Sequence, residues 1–272
     1  MAEIIRALSH DKRIRVIWAD LCDVSAEISG IHQLYGDCAE LFAHTVVGTV
    51  LLGADLKNDG TNISAVLRSA ESDMSAVVIF NKKRMIKGYL RSNDTTGYGF
   101  ERLNGNGSLT VMCDDGRMGL YTSTVPLNAC SMEKSMEEYL RDSQQHEGLL
   151  RFDSGWARGI MIMPVLNDEI SFVNDRKQEL EEMITSAFEE PGRVKEFLRG
   201  HGFDVLGVED AHWGCDCSKE GMENVVRSVG RQEAESIIEE MGAIEIVCPY
   251  CKKKYRFDGE ATKELFAASV NE

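Results

Sequence analysis

Proline is scarce in this chain of 272 residues, with four in all. Apolar residues are spread evenly along it, which excludes a wholly disordered polypeptide too poor in apolar groups to form a core. Long hydrophobic runs are missing as well. The most apolar stretch, Val46 to Leu56, is too short to cross a bilayer and contains Asp55. The opening residues, MAEIIRALSHDKRIRV, lack an apolar segment followed by small side chains, so export is not expected. Positive charge is in deficit, at 30 Lys and Arg against 45 Asp and Glu, a net charge of −15. Such a surface repels phosphate backbones and anionic lipid, which argues against nucleic acid and membrane as partners. Catalytic signatures are absent too. There is no Gly-rich phosphate loop, His-Glu-x-x-His helix, Gly-x-Ser-x-Gly elbow or telling carboxylate pair, so no enzyme is expected.

What is present is a soluble-type composition, 43% hydrophobic and 28% charged, in a chain long enough for one large or two modest domains. Arg13 to Leu21 alternates apolar and polar residues and reads as a half-buried strand. Helices are expected over Val24 to Tyr35 and from an N-cap at Asp37 to about Leu56. The second is apolar on nearly all sides and should be buried against a sheet. From Asn62 to Val125 come short β-rich runs, ISAVLRS, AVVIFN, MIKGYL, SLTVMC and LYTSTV. Asp59-Gly60, Asn104-Gly105, Asn106-Gly107 and Asp115-Gly116 punctuate them as hairpin turns, and Gly97 and Gly99 read likewise as hairpin glycines. A helix over Met132 to Gln145 and a strand over Gly159 to Leu166 complete an α+β domain, residues 1–173.

Residues 174–210 differ. Two helices, Arg176 to Phe188 and Pro191 to Arg199, are rich in Glu, Lys and Arg with thin apolar faces, and Gly200, Gly202 and Gly207 follow. So little apolar area gives marginal stability. A solvent-exposed linker and a metastable switch element are both compatible with this pattern.

The eight cysteines, in a chain without an export signal, point to a reducing compartment, the cytosol. Cys215-Asp-Cys217 and Cys248-Pro-Tyr-Cys251, thirty residues apart, form two clips that together offer one zinc ion four thiolates. Helices over Ser218 to Gly230 and Arg231 to Met241 and strands at Ile244 to Val247 and Tyr255 to Phe257 frame them. This module, residues 211–272, is too small for a generous core, so metal would supply much of its folding energy. His212 is surplus to a complete tetrahedral shell, and Cys22, Cys38, Cys113 and Cys130 read as buried structural thiols. One residue between Cys215 and Cys217 puts both sulfurs on one side of an extended chain, within or near disulfide range, and Cys248 and Cys251 can close in the same way. Metal keeps such sulfurs as thiolates, the form oxidants attack. Lys252, Lys253 and Lys254 stand beside them as a solvated face that adds positive charge.

Two rival readings attach to the same cysteines. A thioredoxin-type Cys248-Pro-Tyr-Cys251 should open a helix, whereas KKKYRF after it looks like a strand. A constitutive zinc module that binds protein without redox switching stays open. One that binds nucleic acid is disfavoured, because residues 211–272 carry twelve acidic and eight basic side chains.

The stretches CDCSKEGMENVV and IEIVCPYCKKKYRFD resemble the C-terminal signature of the heat-shock protein 33 family of redox-regulated chaperones. LLGADLK, KGYLRSN, LTVMCDD and YLRDSQQ echo it upstream in matching order. Two departures stand out: Ser143-Gln144-Gln145 replaces the family's Ser-Glu-Gln, and TSTVPL replaces a Gly-rich turn. The resemblance implies an ATP-independent holdase, inactive while zinc is bound by Cys215, Cys217, Cys248 and Cys251. It further implies that oxidation forms Cys215–Cys217 and Cys248–Cys251, releases zinc and unfolds the module with the linker. A homodimer would then bind unfolding or oxidatively damaged client proteins.

Overall fold

The computed structural model describes residues 2–56, 62–70, 72–81, 83–92, 107–114, 119–127, 131–166 and 170–267. The chain divides into two compact units, Met1–Gly214 and Cys215–Glu272.

One helix organises the first unit. After α1 (Cys22–His32), α2 (Gly36–Asp55) buries residues on every side, from Cys38 to Ala54. Its two interior threonines satisfy themselves: Thr45 donates to the Leu41 carbonyl and Thr49 to that of Thr45, each at 2.7 Å. Asp37 lies in the first turn; the capping position falls to Tyr35, without a side-chain cap. By length and composition α2 could cross a membrane, yet 78% of its most apolar window is buried inside the unit.

Two sheets receive α2. The first is antiparallel, in the order β10 (Phe203–Asp210), β1 (Glu3–Ser9), β2 (Ile14–Asp20), β9 (Arg158–Pro164), β8 (Leu149–Phe152). The second runs β11 (His212–Trp213), β5 (Met85–Arg91), β4 (Ser75–Phe80), β3 (Asn62–Ser69), β6 (Gly107–Asp114), β7 (Leu120–Pro126), with β11 parallel to β5 and the rest antiparallel. α2 packs on β2 and β9 of one and on β3, β4 and β5 of the other. Gly53 permits the close approach: a Cβ there would lie 2.6 Å from Ile63 Cγ2 and 2.7 Å from Phe80 Cδ1. α3 (Met132–Gln144) completes this core and is capped by Ser131, whose hydroxyl accepts from the Lys134 N–H.

The second sheet shows the expected alternation, with Ile63, Ala65 and Leu67 buried and their neighbours less so. The first does not. β2 was expected to be half-buried, but Val16, Ile17, Trp18 and Ala19 are buried in succession. Ile17 and Ala19 face the α2 core, while Val16 and Trp18 face a second core on the opposite side. A sheet covered on both faces needs a continuous apolar run.

That second cover is the segment expected to be thinly apolar. After α4 (Ile170–Asp175), α5 (Lys177–Glu189) and α6 (Val194–Gly200) bury Leu180, Met183, Ile184, Ala187, Val194 and Leu198. They pack against Ile5, Val16, Trp18, Ile160 and Ile162, and Trp18 and Phe188 rings meet at 5.4 Å between centroids. The glycine-interrupted stretch after it contains β10, paired with β1. Residues 174–210 therefore belong to the first unit, as do residues 211–214, placed with the zinc module on sequence grounds: Ala211 is buried and Trp213 packs on the α2 core. The turn dipeptides at 59–60, 104–105 and 115–116, and Gly97, Gly99, Asn106 and Cys130, lie outside the described residues.

The second unit comprises α7 (Lys219–Val229), α8 (Arg231–Met241), a hairpin of β12 (Ala243–Val247) and β13 (Lys254–Asp258), and α9 (Gly259–Ala267). Ser218 caps α7 through the Gly221 N–H, and Gly242 closes α8 at φ 77°. Its core is small: Val226, Ala234, Cys248, Tyr255, Phe257 and Leu265.

Candidate metal centre

Cys215 and Cys217 lie in the extended lead-in to α7, and Cys248 and Cys251 in the turn that joins β12 to β13. That turn is a compact loop. The Cys248 N–H donates to the Lys253 carbonyl at 2.9 Å, the Lys252 N–H returns to the Cys248 carbonyl at 3.0 Å, and Lys252 takes φ 59°. Since the clip joins two antiparallel strands and opens no helix, the thioredoxin-type arrangement is not what these residues adopt.

All four Sγ atoms lie within 4.8 Å of one another. Cys215 Sγ is 3.7 Å from Cys248 Sγ, and Cys217 Sγ is 3.4 Å from Cys251 Sγ. Thiolates about 2.3 Å from a tetrahedral ion stand roughly 3.8 Å apart, so the donor set and spacing suit one metal ion with a closed shell. His212, on β11, is not among these ligand atoms.

The sulfurs differ in their surroundings. Burial pushes the Cys215 thiol up despite a hydrogen bond from the Cys217 N–H, and burial also raises Cys251 against one from the Lys253 N–H. Burial opposes ionisation at Cys217 as well, but hydrogen bonds from Tyr255 and the neighbouring thiols outweigh it and bring the group down to about 7. Tyr255 Oη donates to Cys217 Sγ at 3.1 Å, and that bond is the first cause of a tyrosine pushed up to about 12. Sequence reasoning missed Tyr255 as part of the site. Its position four residues after Cys251, alternating with buried Phe257 on β13, was the available signal.

The other described cysteines stand apart. Cys38 is buried in α2, Cys113 is half-buried on β6, and Cys22 is half-buried with its thiol pushed up to about 12, chiefly by burial.

Comparison with known proteins gives one consistent answer. The family model described as "Hsp33 protein" matches residues 2–258. The "33 kDa chaperonin" of Alkaliphilus oremlandii is 25% identical, covering 98% of this chain and 97% of its own length. That of Bacillus subtilis is also 25% identical, covering 97% and 98%. Among solved structures, the 33 kDa chaperonin (heat shock protein 33 homolog) of Thermotoga maritima superposes with a TM-score of 0.80 at 20% identity, covering 100% of this chain and 99% of that one. That likeness establishes the fold.

Proposed function

The chain belongs to the Hsp33 family, and from that premise we propose that it is a redox-regulated, ATP-independent holdase with a zinc tetrathiolate switch. The curated relatives are named chaperonins, which supports a chaperone function. The observation that carries the finer reading is the cluster of four sulfurs within 4.8 Å, built into a unit whose own core is small. Cys215, Cys217, Cys248 and Cys251 would hold one zinc ion, which when bound supplies folding energy to residues 215–267.

Oxidation removes that support. Two electrons leave the sulfurs for each disulfide formed, and hydrogen peroxide accepts them, its O–O bond breaking to give two waters with two protons taken up. We assign the disulfides to Cys215–Cys217 and Cys248–Cys251, since each clip is closed by its own backbone. Disulfide sulfurs are poor metal ligands, so the ion is lost and the small core of the second unit cannot persist alone. One residue, Gly214, separates β11 from Cys215, and β10 and α5–α6 precede β11. In this reading the segment 174–214 loosens with the unit it leads into. It uncovers the apolar outer face of the first sheet, Ile5, Val16, Trp18, Ile160 and Ile162, for unfolded clients. The oxidised chain acts as a homodimer in the cytosol, without nucleic acid or membrane as a partner.

The side-chain ties that hold α5 and α6 are modest, whereas β10 is held by its antiparallel ladder to β1 and by the ion pairs of Glu209 with Arg6 and Arg84. Arg151 on β8 reaches Glu137 on α3 at 3.3 Å and Glu181 on α5 at 2.8 Å, and Lys195 meets Glu3 at 3.0 Å, all part-exposed. Such pairs contribute little, so docking of the two helices rests on apolar contact. The test is zinc content and suppression of client aggregation, measured on the full chain before and after peroxide. One zinc per chain with no suppression, changing to no zinc with suppression, supports the reading. Suppression that is equal with and without peroxide favours a constitutive zinc-dependent protein-interaction module.

A further inference from the structure

Apart from the thiols themselves, hydrogen bonds to the cysteine sulfurs come from two sources. Cys215 and Cys251 each receive a backbone N–H from two residues ahead, within their own clip. Cys217 instead receives the hydroxyl of Tyr255, 38 residues away on β13, in the hairpin that carries the other clip. The tyrosine is held for this contact. The residue is 6% exposed in the small core, and Lys253 Nζ lies 5.1 Å from the ring centroid. A cation over the ring draws on its electron density and makes the hydroxyl a better donor.

We propose that Tyr255 sets the oxidation threshold of the switch by engaging the sulfur of Cys217. This rests on the zinc-thiolate reading above. A thiolate bound to metal keeps lone-pair density, and that density is what attacks a hydroperoxide. A hydroxyl proton directed at the sulfur stabilises the charge in the resting state and must be given up, or weakened, as the charge moves to oxygen. In the step it governs, Cys217 sulfur attacks one peroxide oxygen, the O–O bond breaks, and hydroxide leaves and is protonated to water. Cys215 sulfur then displaces the second oxygen as water, closing Cys215–Cys217. Two electrons have passed from the sulfurs to the peroxide, and two protons have been consumed. Tyr255 is thus a brake on the first clip that the second clip's hairpin supplies. Intrusion into that hairpin releases it.

Tyr255→Phe deletes the hydroxyl and keeps the ring. The full chain, wild-type and variant, is loaded with zinc for kinetics and with cobalt(II) for spectroscopy. Both are expected to bind one ion. In Tyr255→Phe the thiolate-to-cobalt charge-transfer band shifts to lower energy, because a sulfur without its hydrogen bond holds its lone pair less tightly. Peptide mapping after hydrogen peroxide should show Cys215–Cys217 forming on the order of tenfold faster, with Cys248–Cys251 far less affected. An unmoved band together with unchanged rates overturns the role of Tyr255. So does equal acceleration of both clips with a lowered melting temperature, the pattern of a merely structural contact. A wild-type chain that binds neither ion removes the underlying zinc reading instead, so the two failures are distinguishable.

Discussion

At the scale of single residues, the four cysteines were legible because their chemistry is local. Two close pairs on a chain are a pattern that few other uses explain, and the folded chain brings all four sulfurs within 4.8 Å. Tyr255 was not legible, because a hydroxyl's partner 38 residues away depends on strand register. Two predictions belong here. The cluster without metal carries protons on Cys215 and Cys251, whose thiols burial pushes up, and these must be displaced when metal binds. Groups raised in this way hold their protons more firmly as pH falls, so affinity is present on the alkaline side and lost on the acid side. With at least these two protons displaced, the zinc affinity should fall by at least about a hundredfold from pH 7 to pH 6, read by chelator competition; a flat profile contradicts it. Second, peroxide should leave Cys22 and Cys38 reduced, since one thiol is pushed up to about 12 and the other is fully buried. Mass mapping that finds bridges to either contradicts the assignment.

At the scale of elements, the long helix followed from its sustained apolar run and the strands of the second sheet from short β-rich runs, and what escaped was set by tertiary context. β10 has glycine and acidic residues and lies at a sheet edge, where only one side needs pairing. β8 has four residues, too few to show a period. The apolar stripe of α5 looked thin because its buried side chains, Leu180, Met183, Ile184 and Ala187, stand among charged and exposed neighbours. That stripe makes a prediction. Ile184→Ala removes methyl groups from a buried contact with the first sheet and should weaken docking of α5 by about 2–4 kcal/mol. Hydrogen exchange across Lys177–Glu189 should rise while β1 and β2 stay protected. If α5 exchanges no faster than wild-type, its docking does not depend on that core. Gly53→Ala acts elsewhere: with Ile63 and Phe80 at 2.6 and 2.7 Å, it should lower the melting point of the first unit and leave zinc content unchanged. A variant that melts like wild-type would show that α2 can shift away from the sheet.

At the scale of the whole molecule, the boundary between the compact units falls directly before Cys215, the first of the four clustered cysteines. The account requires that metal support of the second unit controls the docking of residues 174–214 on the first. Cys248→Ser tests this without any oxidant, since it removes one sulfur from the cluster at a buried position. The measurement is hydrogen exchange across Lys177–Gly200 in the reduced variant, followed together with aggregation of a heat-unfolded client. The account predicts loss of zinc, faster exchange through α5 and α6, retained protection in the α2 core, and partial suppression of aggregation. A variant that loses zinc while α5 and α6 stay protected and the client still aggregates would contradict it.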